Sequence, residues 1–542
     1  MKSNKNNLVL LPIAIAVSIV IGITIGGKFS NSGGIHFSDR KINTILNLVS
    51  DGYVDTVNIN NIVEQTIPQL LSNLDPHTVY IPSKDLNAVN EELDGSFSGI
   101  GVSFFLMNDT VRIIEVLSGG PSEKAGLIAG DKIVSINDSA FVGPSINNQA
   151  VFNKLRGIKG SKVKLGIKRN NTNDILSYDI TRGDIPMVSN DASYMVDKEI
   201  GYIRIDKFAR TTYDEFLQAL VKLKNEGAEK YILDLRGNGG GFMEMAILMA
   251  NEFLPENSLI VYTKGRERKN DQQFWSDGNG SFQNVELAIL IDEFSASASE
   301  ILAGAIQDND RGLIVGRRSF GKGLVQKQFQ LNDSSAVRMT VSRYYTPSGR
   351  CIQKDYKKGE EAYNQDIYDR YAHGELSNKD SIRIDTSNVF MTVNHRKVYG
   401  GGGIVPDIFV PTDTSGITSY YINVSNAGLL QKFAYEFAEI NRDEFKELND
   451  YKQFLRILPS NNSLLYDFVT YASKNGVPAR WFYINQSKSL IVNQLKALIA
   501  RDIFGTEAFY PIYNKNDKMI QKAVKAFNEN KASIPISENI SN

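Results

Sequence analysis

The stretch Ser295-Ala-Ser-Ala-Ser-Glu300 runs directly into an apolar pattern of helical spacing that begins at Ile301. Three small hydroxyl residues that alternate with alanine are typical of a strand-to-helix turn that presents a nucleophile, because small neighbours let a substrate approach. The helix N-terminus supplies N–H groups and positive potential for an oxyanion. Further along, Lys322 lies in the glycine-flanked turn Ser319-Phe-Gly-Lys-Gly323. The two stretches together predict serine catalysis with a lysine, rather than a histidine, as the base.

A glycine-rich turn follows a second predicted strand, Tyr231–Leu235, in the stretch Arg236-Gly-Asn-Gly-Gly-Gly241. It lacks the phosphate-loop pattern and the acidic partner of a dinucleotide site, although a plain tight turn stays an alternative. Glycine lets a backbone N–H face a substrate carbonyl with no Cβ in the way. We therefore expect an oxyanion hole made by the N–H groups of Gly240 and Ala298.

Residues 91–183 predict short strands separated by Gly, Asn and Asp turns. The stretch Phe97-Ser-Gly-Ile-Gly-Val102, a later Gly-Pro turn at Gly120 and a predicted helix over 147–155 occur in the order of a PDZ domain, which this region resembles. In such a domain successive loop N–H groups bind a C-terminal carboxylate, and a strand edge accepts the peptide as an added strand. We expect Gly99, Ile100 and Gly101 to bind the carboxylate.

The rest of the chain predicts helices and an α/β layer. Residues 35–90 have helical spacing, and His77, in the turn that follows Pro76, is expected to be a structural hydrogen-bonding residue. Residues 184–350 alternate strand and helix patterns. Residues 351–385 are polar and charged and predict an insertion or lid, while residues 412–542 predict a helical extension of unreadable function.

The N-terminus carries Lys2 and Lys5 before an apolar stretch over residues 8–27, which is long enough to span a bilayer. Basic residues before such a stretch favour a cytoplasmic N-terminus. We expect a membrane anchor, with a cleaved signal peptide as the alternative. Residues 35–542 are then expected outside the cytoplasm, on the periplasmic side.

Composition narrows the function classes. A chain of 542 residues is too long for one core, and a net charge of −1 gives no reason to expect nucleic acid as a partner. A single cysteine, Cys351, excludes an intrachain disulfide. None of the four histidines lies near a motif suited to a general base, although a Ser-His-Asp hydrolase is a rival interpretation. No metal or cofactor is expected.

Taken in order, the motifs over about residues 40–411 resemble the C-terminal processing peptidases, also called tail-specific proteases, of the Ser/Lys type. Beyond the PDZ set and the serine run, the matching stretches are Leu74-Asp-Pro-His-Thr78, Asp234-Leu-Arg-Gly-Asn-Gly-Gly-Gly241, Val315–Gln326, Tyr344–Arg350 and Gly403-Ile-Val-Pro-Asp407. One departure is Gly239, where the family often has proline; it adds flexibility without removing the oxyanion donors.

The resemblance implies that Ser297 is the nucleophile, Lys322 the base and Gln326 the residue that orients the lysine. A lysine must be neutral to accept a proton, so its pKa must fall from about 10.4 through desolvation. Gln326 accepts a hydrogen bond from the amine without adding the negative charge that would raise the lysine pKa. Ser295 and Ser299 are interpreted as a turn residue and a helix-cap residue, and Glu300 as a structural partner of the helix dipole.

Arg156, directly after the predicted PDZ helix, has two interpretations. It is either part of a structural salt bridge or a regulatory link between peptide binding in the PDZ domain and the arrangement of the Ser/Lys site.

The sequence thus predicts an α/β multidomain protein. Its expected parts are an N-terminal anchor or signal segment and linker (1–34), a helical domain (35–90), a PDZ-like β domain (91–183), an α/β protease core of the tail-specific type with an insertion near 351–390 (184–411), and a helical C-terminal extension (412–542). The expected function is a serine endopeptidase that recognises free, apolar C-terminal tails and cleaves through an acyl-enzyme. The alternative is an inactive peptide-binding protein of the same fold. Homo-oligomerisation is left open.

Overall fold

The computed structural model describes residues 38–530, apart from positions 108, 170, 171, 173, 446 and 449. The chain divides between Leu71 and Ser72 into two compact units. Helices α1 (Ser38–Gly52) and α2 (Ile59–Ser72) confirm the predicted helical character of the first segment. Within the described residues no helix has the length and apolar content to cross a bilayer. The predicted membrane segment 8–27 lies outside the described residues and stays a prediction.

The β-rich region has the predicted PDZ-like fold. The elements up to its end are β1 (Val79–Ile81), α3 (Ser83–Asp94), β2 (Ser96–Gly99), β3 (Val102–Met107), β4 (Thr110–Val116), α4 (Pro121–Ala125), β5 (Lys132–Ile136), β6 (Ser139–Ala140), α5 (Asn148–Leu155), β7 (Lys162–Lys168), β8 (Ile175–Thr181) and β9 (Gly183–Pro186). An antiparallel sheet of order β3-β4-β5-β7-β8 encloses fully buried aliphatic side chains such as Val111 and Leu165. Strand β3 is one of its two edge strands. Helix α5 lies beside β3: the ring of Phe152 on the helix is 5.3 Å from the ring of Phe104 on the strand.

A six-stranded sheet of order β10-β11-β12-β15-β16-β21 forms the centre of the predicted α/β core. The core elements are β10 (Asn190–Met195), β11 (Ile200–Ile205), α6 (Thr212–Asn225), β12 (Lys230–Asp234), α7 (Met243–Asn251), β13 (Leu259–Gly265), β14 (Gln272–Trp275), β15 (Glu286–Ile291), α8 (Ala298–Asp308) and β16 (Leu313–Gly316). All pairs in this sheet are parallel except β10 with β11. Strands β12 and β15 are apolar on both faces, as expected of a covered parallel sheet. Loops at the carboxyl ends of such strands usually carry the site.

A second sheet lies beside the first and carries the lysine segment. Its strands β17 (Leu324–Gln330) and β18 (Ala336–Tyr345) form a hairpin, and β18 also pairs with β1 and β13. The elements that follow are α9 (Glu360–Ala372), β19 (Val389–Met391), β20 (Lys397–Tyr399) and β21 (Ile408–Phe409). Helix α9 is the predicted insertion.

The C-terminal extension is helical, as predicted. It contains α10 (Ser419–Asn426), α11 (Leu429–Ile440), α12 (Arg442–Phe445), α13 (Tyr451–Ile457), α14 (Asn461–Lys474), α15 (Trp481–Phe504), α16 (Thr506–Tyr513) and α17 (Lys518–Asn528). Most of these helices share a core of their own. Helix α17 instead packs Met519, Ile520 and Phe527 against one face of the central sheet, while α6, α7 and α8 cover the other face. The extension therefore supplies one layer of the peptidase core.

Candidate active site

Ser297 lies at the predicted turn between β15 and α8, where it is the N-cap residue of α8. Its backbone has φ 56° and ψ −113°, a conformation that non-glycine residues rarely adopt and that is concentrated at functional sites. The backbone of Gly240 packs directly against it: a Cβ at Gly240 would lie 2.7 Å from Ser297 Cβ. The glycine turn after β12 and the serine turn after β15 therefore meet at one point.

The two flanking serines hold these turns together. Ser295 Oγ donates to Leu235 O at 2.8 Å, and Ser299 Oγ donates to Asn238 O at 2.9 Å. Both flanking side chains are fully buried, whereas Ser297 is half-buried. Ser299 lies inside α8 and is not the cap residue expected from the sequence. Of the three serines, Ser297 is therefore the one that a substrate can reach.

The carboxylate of Glu300 connects the serine turn to the lysine turn. Its Oε2 accepts from the backbone N–H groups of Ser297 at 2.9 Å and Lys322 at 2.8 Å. Its Oε1 accepts from Ser319 Oγ and, at 2.7 Å, from the N–H of Gly321. Burial raises the pKa of Glu300 to about 7, against the opposing effect of these four hydrogen bonds. Glu300 therefore does more than stabilise the helix dipole, which was the role expected from the sequence. Its position three residues after an N-cap serine is the local sequence signal for a hydrogen bond back to the backbone of that serine.

A buried tyrosine makes a second connection between the same two residues. The hydroxyl of Tyr344 is 3.2 Å from Ser297 O and 2.7 Å from Lys322 O. The side chain is fully buried. Backbone atoms of the predicted nucleophile and base are thus held to each other by one carboxylate and one hydroxyl, and nothing in the sequence pattern around Tyr344 indicated this role.

Lys322 contacts its predicted orienting residue. Its Nζ donates to Gln326 Oε1 at 3.1 Å. Burial lowers the pKa of the Lys322 amine; the positive charge of Arg338 adds to the lowering, and the charges of Glu300 and Asp75 oppose it. Within the described residues, Nζ makes no hydrogen bond to Ser297 Oγ. The structure therefore provides a lysine suited to being neutral, and the Ser/Lys dyad itself stays a prediction.

The turn that contains Asp75 and His77 fixes the orientation of Gln326. Asp75 Oδ1 accepts from the N–H groups of His77 and Thr78, both at 2.9 Å. The carbonyl of His77 accepts from Gln326 Nε2, which turns Gln326 Oε1 towards the lysine. His77 is a structural hydrogen-bonding residue as expected, but its ring bonds outside the turn, to the hydroxyl of Tyr363.

The predicted oxyanion donors lie beside Ser297. The N–H of Ala298 is at the first position of α8, where no acceptor within the helix exists. The N–H of Gly240 donates to Asn238 Oδ1 at 2.8 Å. In this conformation Gly240 is therefore occupied by an internal acceptor, and the two-donor hole stays a prediction.

The predicted carboxylate-binding loop precedes the open edge of β3. The carbonyls of Ile100 and Gly101 accept from Ser122 N and Leu117 N, both at 3.0 Å, so they point into the domain. Gly101 has φ +75°, and Ile100 buries its side chain. This arrangement is compatible with a nest of loop N–H groups, although no ligand contact tests it.

Arg156 makes no ion pair with any residue that the structure describes, and its regulatory role stays a prediction. Its guanidinium lies 4.1 Å from the ring centroid of Phe97 and 5.0 Å from that of Phe152. Its Nε is buried without a hydrogen-bond partner. Arg156 thus joins the strand before the loop to the helix that flanks the groove by cation–π contacts.

Comparison with known proteins places this arrangement in a class. Residues 199–361 match Peptidase family S41, residues 98–180 match the PDZ domain, and residues 420–505 match a family of unknown function (DUF8443). The fold and the site therefore define a serine-type peptidase with a PDZ domain. The chain belongs to the carboxy-terminal processing proteases, as the resemblance implied.

Two bacterial relatives support this assignment. The chain is 32% identical over 351 residues to carboxy-terminal processing protease CtpB of Bacillus subtilis, covering 64% of this chain and 72% of the relative. It is 33% identical over 314 residues to the carboxy-terminal-processing protease of Bartonella bacilliformis, covering 57% and 71%. Among solved structures, the photosystem II D1 C-terminal processing protease is 24% identical with a TM-score of 0.34, covering 70% of this chain and 94% of that chain.

Proposed function

We propose that this protein captures the C-terminal tails of protein substrates in its PDZ domain and cleaves them through an acyl-enzyme formed on Ser297, with Lys322 as the base. The observation that carries the proposal is the environment of Lys322. A buried amine whose hydrogen-bond acceptor is a neutral amide has a lowered pKa, and its backbone is held to that of Ser297 through Glu300. These are the properties that a lysine general base needs.

The first chemical step follows from these positions. The lone pair of the neutral Lys322 amine takes the Ser297 hydroxyl proton while Oγ bonds to the substrate carbonyl carbon. The resulting oxyanion is stabilised by the N–H of Ala298 and, once its bond to Asn238 Oδ1 is exchanged, by the N–H of Gly240. In this mechanism Lys322 Nζ and Ser297 Oγ, which share no hydrogen bond in the described arrangement, come together when the substrate binds.

The remaining steps return both groups to their starting state. The Lys322 ammonium gives its proton to the leaving amine as the peptide C–N bond breaks, which leaves the acyl group on Ser297. Water then attacks the ester carbonyl while the neutral lysine takes a proton from it. The bond between the acyl carbon and Ser297 Oγ breaks as the Lys322 ammonium returns that proton to Oγ, and the product leaves with a new C-terminal carboxyl group. Gln326 accepts a hydrogen bond from the amine in both protonation states without adding charge.

Tail capture is assigned to the PDZ domain. The N–H groups of Gly99, Ile100 and Gly101 bind the terminal carboxylate, and the edge of β3 pairs with the tail. Arg156 then couples the binding of a tail to the catalytic site, because its guanidinium contacts Phe97 beside the carboxylate-binding loop and Phe152 beside the groove. A bound tail displaces or rearranges these contacts, and this change favours the catalytic arrangement.

The alternative is a peptide-binding protein without catalysis. A binding protein has no need of a buried lysine whose amine is held by an amide, since burial of such a group costs stability. The site therefore favours the peptidase.

The proposal is tested with a folded protein that carries an unstructured apolar tail, incubated with the wild type and with Ser297→Ala. Mass spectrometry of the products reads the new C-termini. We expect cleavage by the wild type alone, and slower cleavage at sub-saturating concentration when the tail ends in an amide. Equal rates for free-acid and amidated tails contradict PDZ capture. Arg156→Ala is expected to reduce the difference between the two tails while leaving tail binding intact.

A further inference from the structure

The insertion contributes hydrogen bonds to the surroundings of the lysine. Gln353 Oε1 accepts from the N–H of Gly323, the residue after Lys322, at 2.8 Å. Gln353 Nε2 donates to the hydroxyl of Tyr363 on helix α9 at 3.4 Å. The Tyr363 hydroxyl lies 2.8 Å from Nε2 of His77. The insertion therefore connects one side of the lysine turn to the histidine behind it.

The connection continues from the histidine back to the lysine. The carbonyl of His77 accepts from Gln326 Nε2, and Gln326 Oε1 accepts from Lys322 Nζ. Six residues thus form a closed ring of hydrogen bonds and covalent bonds around the lysine turn. They are Lys322, Gly323, Gln353, Tyr363, His77 and Gln326.

The direction of the bond between Tyr363 and His77 follows from their surroundings. Burial, with the charge of Lys322 as the next cause, lowers the pKa of His77 to about 4, so the imidazole is neutral at pH 7. Tyr363 already accepts from Gln353, and its hydroxyl proton is free to donate to His77 Nε2.

Tyr363 is itself rigidly held. Its side chain is 2% exposed, and its ring packs edge-on against Phe320 with centroids 5.8 Å apart. The amine of Lys354 lies 4.2 Å from the Tyr363 ring centroid and donates to the carbonyl of the same residue. A side chain fixed in this way can impose its position on a hydrogen-bond partner.

The insertion is also attached to the lysine loop at a second point. Arg370 of α9 donates to the carbonyls of Arg318 and Ser319, the latter at 3.1 Å, and is fully buried. These bonds hold α9 against the loop that contains Lys322. The sequence predicted either an insertion or a lid here, and these contacts are those of a fixed insertion.

We propose that Tyr363 is a positioning residue for the base: through His77 and Gln326 it holds the Lys322 amine in the orientation that accepts the serine proton. This inference rests on the proposed Ser/Lys mechanism. The charged groups that face Lys322 are Arg338, Glu300 and Asp75, and none of them is in the ring. Removing the Tyr363 hydroxyl therefore changes the orientation of the acceptor without changing the charges that act on the amine.

The test compares full-length Tyr363→Phe with Tyr371→Phe, an exposed tyrosine of the same helix, on one tailed peptide over a range of pH. For Tyr363→Phe we expect kcat to fall about tenfold, as for the loss of one buried hydrogen bond, with KM unchanged. The midpoint of the pH profile should move to lower pH, because the ammonium loses an oriented acceptor. Tyr371→Phe should behave as the wild type.

A second pair of variants covers the case in which Tyr363→Phe fails to fold. His77→Gln keeps a side-chain acceptor for the tyrosine, whereas His77→Leu removes it, and both keep the backbone carbonyl. We expect higher kcat for His77→Gln than for His77→Leu. Wild-type kcat and pH profile in folded Tyr363→Phe, or equal kcat for the two His77 variants, overturns the inference.

Lys322→Ala, measured in parallel, separates this failure from failure of the mechanism. If Lys322→Ala is inactive and Tyr363→Phe is fully active, only the role of Tyr363 is contradicted. Activity retained by Lys322→Ala removes the base itself and the inference with it.

Discussion

The backbone N–H groups of Ser297 and Lys322 donate to the same atom, Oε2 of Glu300. The relative position of the nucleophile turn and the lysine turn is thus set by main-chain atoms. The Lys322 amine is then free of any charged partner within hydrogen-bond distance in the described part of the chain, and burial lowers its pKa. A direct ion pair would have fixed the geometry equally well but would have raised the pKa of the base.

Glu300→Gln should strongly reduce both activity and stability. Glu300 accepts four hydrogen bonds, two on each carboxylate oxygen. In the Glu300→Gln variant an NH₂ group replaces one of these oxygens, so it faces two hydrogen-bond donors and can accept from neither. We expect unfolding free energy to fall by about 1–3 kcal/mol and kcat by at least about tenfold. Thermal unfolding and peptide cleavage measure the two effects. The matched control is Glu244→Gln, an exposed glutamate in the first turn of α7, which should change neither.

Gly240→Ala should abolish cleavage. A Cβ there would lie 2.7 Å from Ser297 Cβ and 2.8 Å from Ala296 O, and the backbone has φ +104°. Gly239→Ala is the control, since its Cβ would meet nothing within 4 Å. We expect a loss of at least about a hundredfold in kcat/KM for the first variant, as for loss of an oxyanion donor. An active Gly240→Ala enzyme would contradict the close packing of the two turns.

Lys322→Met should stabilise the protein while inactivating it. Burial lowers the pKa of Lys322 below 10.5, so the unfolded state binds more protons between the folded-state pKa and 10.5. Wild-type stability therefore rises with pH across that window, and below it the buried amine carries its full cost. We expect Lys322→Met to be more stable by about 1–3 kcal/mol at neutral pH, with the gap narrowing towards pH 10. Denaturant unfolding at several pH values measures this; a constant gap would argue against a depressed lysine pKa.

Gln326→Glu should move the activity profile to higher pH. A carboxylate in place of the amide pairs with the Lys322 ammonium and raises the pKa of the base. It also loses the N–H that donates to His77 O. At neutral pH we expect kcat/KM to fall by at least about tenfold. Gln330→Glu, an exposed residue of the same strand, serves as the control. An unshifted profile in a folded Gln326→Glu enzyme would mean that the glutamine does not act on the base.

Much of the fold was predictable because its signals are local. The strand-turn-helix pattern around Ser297, the glycine turn before Gly241 and the PDZ loop at Gly99 each occupy fewer than about ten residues, and the periodicity on either side is strong. The pairing of Lys322 with Gln326 was expected from the resemblance to the Ser/Lys peptidases, and their side chains do form a hydrogen bond.

The supporting residues could not be predicted, because their partners are distant in the sequence. Tyr344 bonds to Ser297 O, Gln326 bonds to His77 O, and Tyr363 bonds to the His77 ring. Each pair forms only when separate sheets and the insertion pack together. The same holds for helix α17: its apolar residues indicate one buried face but not that this face covers the central sheet. Amphipathic patterns predict burial and leave the partner open.

The measurement that tests the central claim most directly is the cleavage rate of one tailed peptide by wild type, Ser297→Ala, Lys322→Ala and the double variant, all shown to be folded. Because catalytic groups that act as a unit lose their effect together, we expect each single variant to lose at least about 10⁴-fold in kcat and the double variant to be no slower than either. Substantial activity in folded Lys322→Ala, or a double variant much slower than both single variants, would contradict a Ser/Lys dyad.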